Sequence, residues 1–176
     1  MNNLFSTLFQ SESDTSSQAK LFWLYSLSLI LALWAGGTIV LDFVVMPSLA
    51  NAGMMASSAF IPAGFSMFHR FNGAEVIVGS LMLTGTFALL IQNQVSHRAR
   101  LGLISLLLFL IPCVYFYYLG PQLAGLGLAS DLSQGVMPAA MDSMQSLYWV
   151  LDGLKVTCVA IYLTELWQSV NPSIQS

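Results

Sequence analysis

"LYWVLDGLKVTCVAIYLTELW", residues 147–167, is an apolar run of membrane-spanning length with an aspartate and a lysine, Asp152 and Lys155, inside it. A bilayer core takes roughly 20 apolar residues in helical form. Ionised side chains at its centre cost about 2.5–3.5 kcal/mol each on insertion scales. Two charges three residues apart therefore need partners inside a protein. Tyr148, Asp152, Lys155, Cys158, Tyr162 and Glu165 recur at spacings of four and three, which is one face of a helix. Val150, Leu151, Val156, Ala160 and Leu163 fill much of the remainder. The polar face is predicted to turn into a helical bundle.

Three other stretches have the same character: about 21–45, 73–91 and 101–119. Over the 176 residues, 56% of side chains are hydrophobic and 7% charged, and the mean hydropathy is +0.74. Soluble domains carry about 25% charge, so much of this chain must have lipid as its solvent. Helices and closed barrels alone cross lipid with their backbone groups satisfied. These runs are too long and too uniformly apolar for barrel strands. The predicted fold is all-α: an integral membrane bundle of four transmembrane helices, with partly helical interfacial connections.

The organisation reads as a mobile polar tail over 1–20, a single transmembrane domain over 21–167 and a short tail over 168–176. The first tail is Ser-rich but carries a small apolar patch, Leu4, Phe5, Leu8 and Phe9. "PSLANAG" offers a small-residue cleavage site, yet the preceding run is about twice signal-peptide length and Asp42 interrupts its end. The first helix is expected to be retained. The segments 46–73 and 120–145 are broken by Gly and Pro but stay greasy, and read as interfacial or re-entrant pieces. Four crossings put both termini and the 92–100 loop on one side, with Lys20, Arg98 and Arg100, and leave Arg70 opposite. The positive-inside rule then places both termini in the cytoplasm.

Because alternate spans run in opposite directions, several polar groups fall in one outer layer: Asp42, Glu75, Asp152, the tyrosines 115, 117 and 118, and His69 with Arg70. Lys155 lies deeper, about 12 Å along its helix from Leu147. Asp152 is in reach at i−3, and Asp42 and Glu75 are candidates across helices. The predicted site is a ligand-binding or structural ion-pair network of Asp42, Glu75, Asp152, Lys155 and Arg70. Two readings of it stand, since polar groups also hold membrane helices together without further function. Glu165, at the cytoplasmic end, is expected to be solvated.

Other signals are weaker. His69 and His97 fall on opposite sides of the membrane, so they cannot share a metal; His69 remains a metal candidate by itself. Met54, Met55 and Met67 suit copper(I) chemically and serve equally as apolar filler. Cys113 and Cys158 form no redox motif and read as small core residues. Ala32 and Gly36 make a small-xxx-small pair, Gly73 and Gly79 offer close approach in the second span, and Pro112 should kink the third. The chain has no phosphate loop, zinc spacing, nucleophile elbow or Ser/His/Asp set. A formal charge of −3 without a basic patch argues against nucleic acid as a partner.

"LWAGGTIVLDFVVMPSL" (33–49) resembles the W-x-G-G and F-V-x-P-x-L opening of domain-of-unknown-function family 4149, small four-helix membrane proteins similar in architecture to copper-resistance D-type proteins. "AGFSMFHRFNGAEVIVGSLML" (63–83) and "YYLGPQLAGL" (117–126) resemble its later blocks, so the likeness covers roughly residues 30–165. It implies a four-helix membrane fold but no activity. Members often carry a histidine before the fourth span, where this chain has Gln145. That departure weakens any metal or haem role drawn from relatives. The leading expectation is a non-enzymatic protein with a polar, charge-paired pocket that binds an ion, proton or small polar ligand, with no cofactor. Alternatives are a haem- or copper-handling protein, and an assembly or scaffold subunit. Its partners are the lipid bilayer and a membrane protein or second copy docked through small-residue faces.

Overall fold

The computed structural model describes residues 2–54, 60–91, 98–129 and 139–168. His97, Met55 and residues 169–176 lie outside the described residues, and so do the side chains of Leu4, Phe5, Leu8 and Phe9. Helix α1 runs Asn2–Ile39 and passes through a π-helical segment, Val40–Val45, into α2, Met46–Asn51. Helix α3 spans Phe60–Ile91. Helix α4, Arg98–Val114, leads through a second π-helical segment, Tyr115–Leu119, into α5, Gly120–Ala129, and α6 spans Ala139–Gln168. No strand is present among the described residues.

Four helical stretches are long and apolar enough to cross a membrane: Leu21–Leu49, Pro62–Ile91, Arg98–Gly127 and Asp142–Gln168. The protein is therefore a multi-pass membrane bundle. The spans are longer than the hydropathy of the sequence suggested. Residues 62–72 and 120–127, expected as interfacial or re-entrant pieces, instead continue the second and third spans as helix. Pro62 sits in the opening turn of α3, where a missing N–H costs little because first-turn donors have no intrahelical acceptor.

Alternate spans run antiparallel. The ring of Tyr25 meets Trp167, and Arg100 pairs with Glu165, at the end that carries the start of the first span and the close of the fourth. That end is called the terminal end here, and the opposite one the loop end. The surface inverts that of a soluble protein. Phe22, Leu29, Leu33, Phe43, Ile77, Phe87, Leu103 and Val150 point outward, while Asp42, Glu75, Asp152, Lys155 and Glu165 are buried. Lipid solvates the first group as well as a protein core would, so the interior is free to hold charge.

Helices α3 and α4 pack most closely, and Gly79 explains how. A Cβ there would stand 3.1 Å from Leu108 O and from Phe109 Cα, so a hydrogen at this position lets two backbones touch. The Ala32–Gly36 pair does not serve this purpose. Both residues face outward and line a shallow apolar groove with Leu33, Gly37, Val40, Leu41, Val45 and Phe71.

Candidate functional site

Charge gathers at one level of the bundle, towards the loop end. Lys155 is 1% exposed, and its ammonium donates to Glu75 Oε1 at 2.7 Å. It also lies 2.6 Å from Asp152 Oδ1, one helical turn away. The Tyr115 ring closes a further side, 5.3 Å from the ammonium to the ring centroid, at a distance suited to a cation–π contact. Lys155 is thus held by three spans: α3 through Glu75, the second π-segment through Tyr115, and α6 itself.

The first span completes the enclosure. Trp34 Nε1 donates to Glu75 Oε1 at 2.7 Å, and Thr38 Oγ1 donates to the same oxygen at 3.3 Å. Asp42 stands within carboxyl-to-carboxyl hydrogen-bonding range of Asp152, and its field reaches Lys155 and Glu75. It lies in the first π-segment. The Met46 N–H bonds to Leu41 O, five residues back, which widens the turn, and Leu41 and Asp42 are both buried. A matching bond, Gly120 N–H to Tyr115 O, sets the second π-segment. A side chain on Gly120 would come within 3.1 Å of that carbonyl, which accounts for glycine there.

Tyr148 stacks on Tyr115, ring centroids 4.6 Å apart, and the Tyr115 hydroxyl donates to Tyr148 O at 3.4 Å. Several buried polar atoms nearby have no hydrogen-bond partner: Asp42 Oδ2, Asn72 Oδ1, Glu75 Oε2 and the Tyr148 hydroxyl. Towards the terminal end the cluster rests on Leu31, Met82, Leu108, Cys158 and Val159, all buried. A second polar layer follows. The Tyr162 hydroxyl and Thr86 Oγ1 are 2.6 Å apart, and Thr86 donates onward to Met82 O, so Tyr162 is the donor between them. Arg100 pairs with Glu165 at 2.6 Å.

Four of the five residues grouped from the sequence come together: Asp42, Glu75, Asp152 and Lys155. Arg70 does not. It is exposed and makes no ion pair among the described residues. At about 100° per residue it lies nearly opposite Asn72 on the helix, and Asn72 is on the buried face. Glu165 is also corrected. It is 5% exposed instead of solvated, because the face it shares with Asp152 and Lys155 is the buried one and Arg100 reaches it.

Sequence reasoning missed Trp34 and Thr38 as ligands of Glu75, and Asn72 as a buried amide. A spacing signal existed: Trp34, Thr38 and Asp42 recur every four residues on one face of the first span. The weaker candidates sort plainly. His69 is stacked between Phe65 and Phe116, Met54 is exposed, Gln145 is exposed, and both cysteines are free. Among the described residues no group of three or more His, Cys, Asp and Glu side chains is placed to hold a metal ion. No protein-family model, curated protein or solved structure matches the chain.

Proposed function

We propose that the protein is a membrane proton-binding protein, with the carboxyl cluster at the loop end of its bundle as the binding site and both termini in the cytoplasm. One observation carries this reading: two carboxyl groups, Glu75 and Asp152, meet a single buried ammonium, and a third buried carboxyl, Asp42, faces Asp152. Fully ionised, the cluster would keep two negative charges beyond what Lys155 offsets, in surroundings where an unpaired charge is costly. Two facing carboxylates also offer each other acceptors and no donor. A proton between Asp42 and Asp152 supplies the donor and removes one charge together.

The motif likeness of residues 30–165 to family 4149 supports kinship with small four-span membrane proteins and is part of the same proposal. The proton reading is favoured over a bound metal by the donor geometry around Lys155, whose ammonium already occupies the space between Glu75 and Asp152. Infrared difference spectroscopy on the purified protein in lipid nanodiscs tests it. A carbonyl band from a protonated carboxyl is expected, shifting on transfer to heavy water and disappearing as pH rises. In the Asp42→Asn variant the band should be lost or displaced. A wild-type spectrum without any such band across the accessible pH range would refute the reading.

A further inference from the structure

On the proton reading above, a proton must reach carboxyls that the bundle encloses. Three buried polar atoms along one face of α3 have no hydrogen-bond partner: His69 Nδ1, Asn72 Oδ1 and Glu75 Oε2. Successive members are three residues apart, which places each about 4.5 Å further along the helix. They form a ladder from the outer part of α3, towards the loop end, down to the charge cluster. Asn72 is 2% exposed, and leaving an amide oxygen there without a donor is costly enough to need a reason.

The top rung is built for transfer. The His69 imidazole lies flat between the rings of Phe65 and Phe116, with centroids 5.3 and 4.2 Å away. Stacking fixes the ring plane while leaving the nitrogens at its edge for hydrogen bonding. Histidine passes protons because its two nitrogens exchange donor and acceptor roles. The groups that act on the lower rung come from every neighbouring span: Asp42 from the first, Tyr115 from the third, and Tyr148, Asp152 and Lys155 from the fourth. Arg70 points away.

We propose that the His69–Asn72–Glu75 face of α3 is the path by which protons enter the cluster from the loop end. His69 accepts a proton at one nitrogen and releases the proton of the other. A water oriented by Asn72 Oδ1 carries it, and Glu75 Oε2 receives it. Only N–H and O–H bonds form and break, so charge and atoms balance at each transfer.

Two measurements on the full chain in nanodiscs test the path. The first follows deuterium exchange into the protonated-carboxyl band after mixing with heavy water. His69→Phe keeps a stacking ring and is expected to slow exchange about 100-fold, with the size of the band unchanged and the rate restored by free imidazole. Exchange at the wild-type rate in both His69→Phe and Asn72→Leu overturns the path. The second labels Asn72→Cys with a small cationic thiosulfonate, taking the wild type with Cys113 and Cys158 as background. Reaction above background supports the path, and no reaction overturns it. Should the wild type lack the infrared band, the proton reading fails separately, and the labelling still decides whether the ladder is open to water.

Discussion

Glu75 takes three donors on Oε1, from Lys155, Trp34 and Thr38, and none on Oε2. That asymmetry decides what single substitutions should do. Lys155→Met strips the ammonium from two carboxyls at once, and breaking a buried pair from one side costs about 3–5 kcal/mol. We expect a large fall in thermal stability in detergent. Adding Glu75→Gln should recover more of it than adding Asp152→Asn. Glutamine keeps an oxygen for Trp34 and Thr38, whereas Asp152 meets the ammonium without a directed hydrogen bond. Equal recovery by both partners would contradict this ranking. The sequence pointed to Asp152, Lys155, Asp42 and Glu75, because ionisable side chains are conspicuous in an apolar run. It could not rank Glu75 above Asp152, since an i−3 neighbour is visible along the chain and a partner 80 residues away is not.

Among the elements, the pairing of α3 with α4 rests on Gly79. Its α-hydrogen faces backbone atoms of Leu108 and Phe109, which cannot swing aside as a side chain can. Gly79→Val is therefore expected to cost about 1–3 kcal/mol through overpacking, measured as a lower unfolding midpoint. A neutral result would mean the two helices separate freely. Gly36→Val, with nothing within 4 Å of the added carbon, should be near neutral in the isolated protein. Both glycines look alike in the sequence; their packing differs because one faces a helix and the other the outside. The π-segments were equally hidden. Pro112 announced a disturbance in the third span, and the widened turn follows it at Tyr115–Leu119. Nothing comparable precedes Val40–Val45.

For the whole molecule, the proposed orientation follows from Lys20, Arg98 and Arg100 at the terminal end against Arg70 at the loop end. A reporter active only in the cytoplasm, fused at either terminus, should be active, and the same reporter placed within 130–138 should be silent. The reverse pattern would invert the orientation and put the His69 ladder on the cytoplasmic side. Two polar levels, one around Lys155 and one around Tyr162 and Glu165, are parted by the apolar layer of Leu31, Met82, Leu108 and Cys158. In this conformation the cluster is closed towards the terminal end. The sequence by itself determined that the chain is helical, that it crosses the membrane four times and that the polar face of its last span is buried. Those are consequences of local composition and of a 3.6-residue period, acting over one helix at a time. The tertiary structure alone decided which carboxyl holds the lysine, that Arg70 stands apart and that Asn72 and His69 line up above Glu75. Such matters depend on the rotation and depth of each helix against the others, and contacts between distant segments fix both.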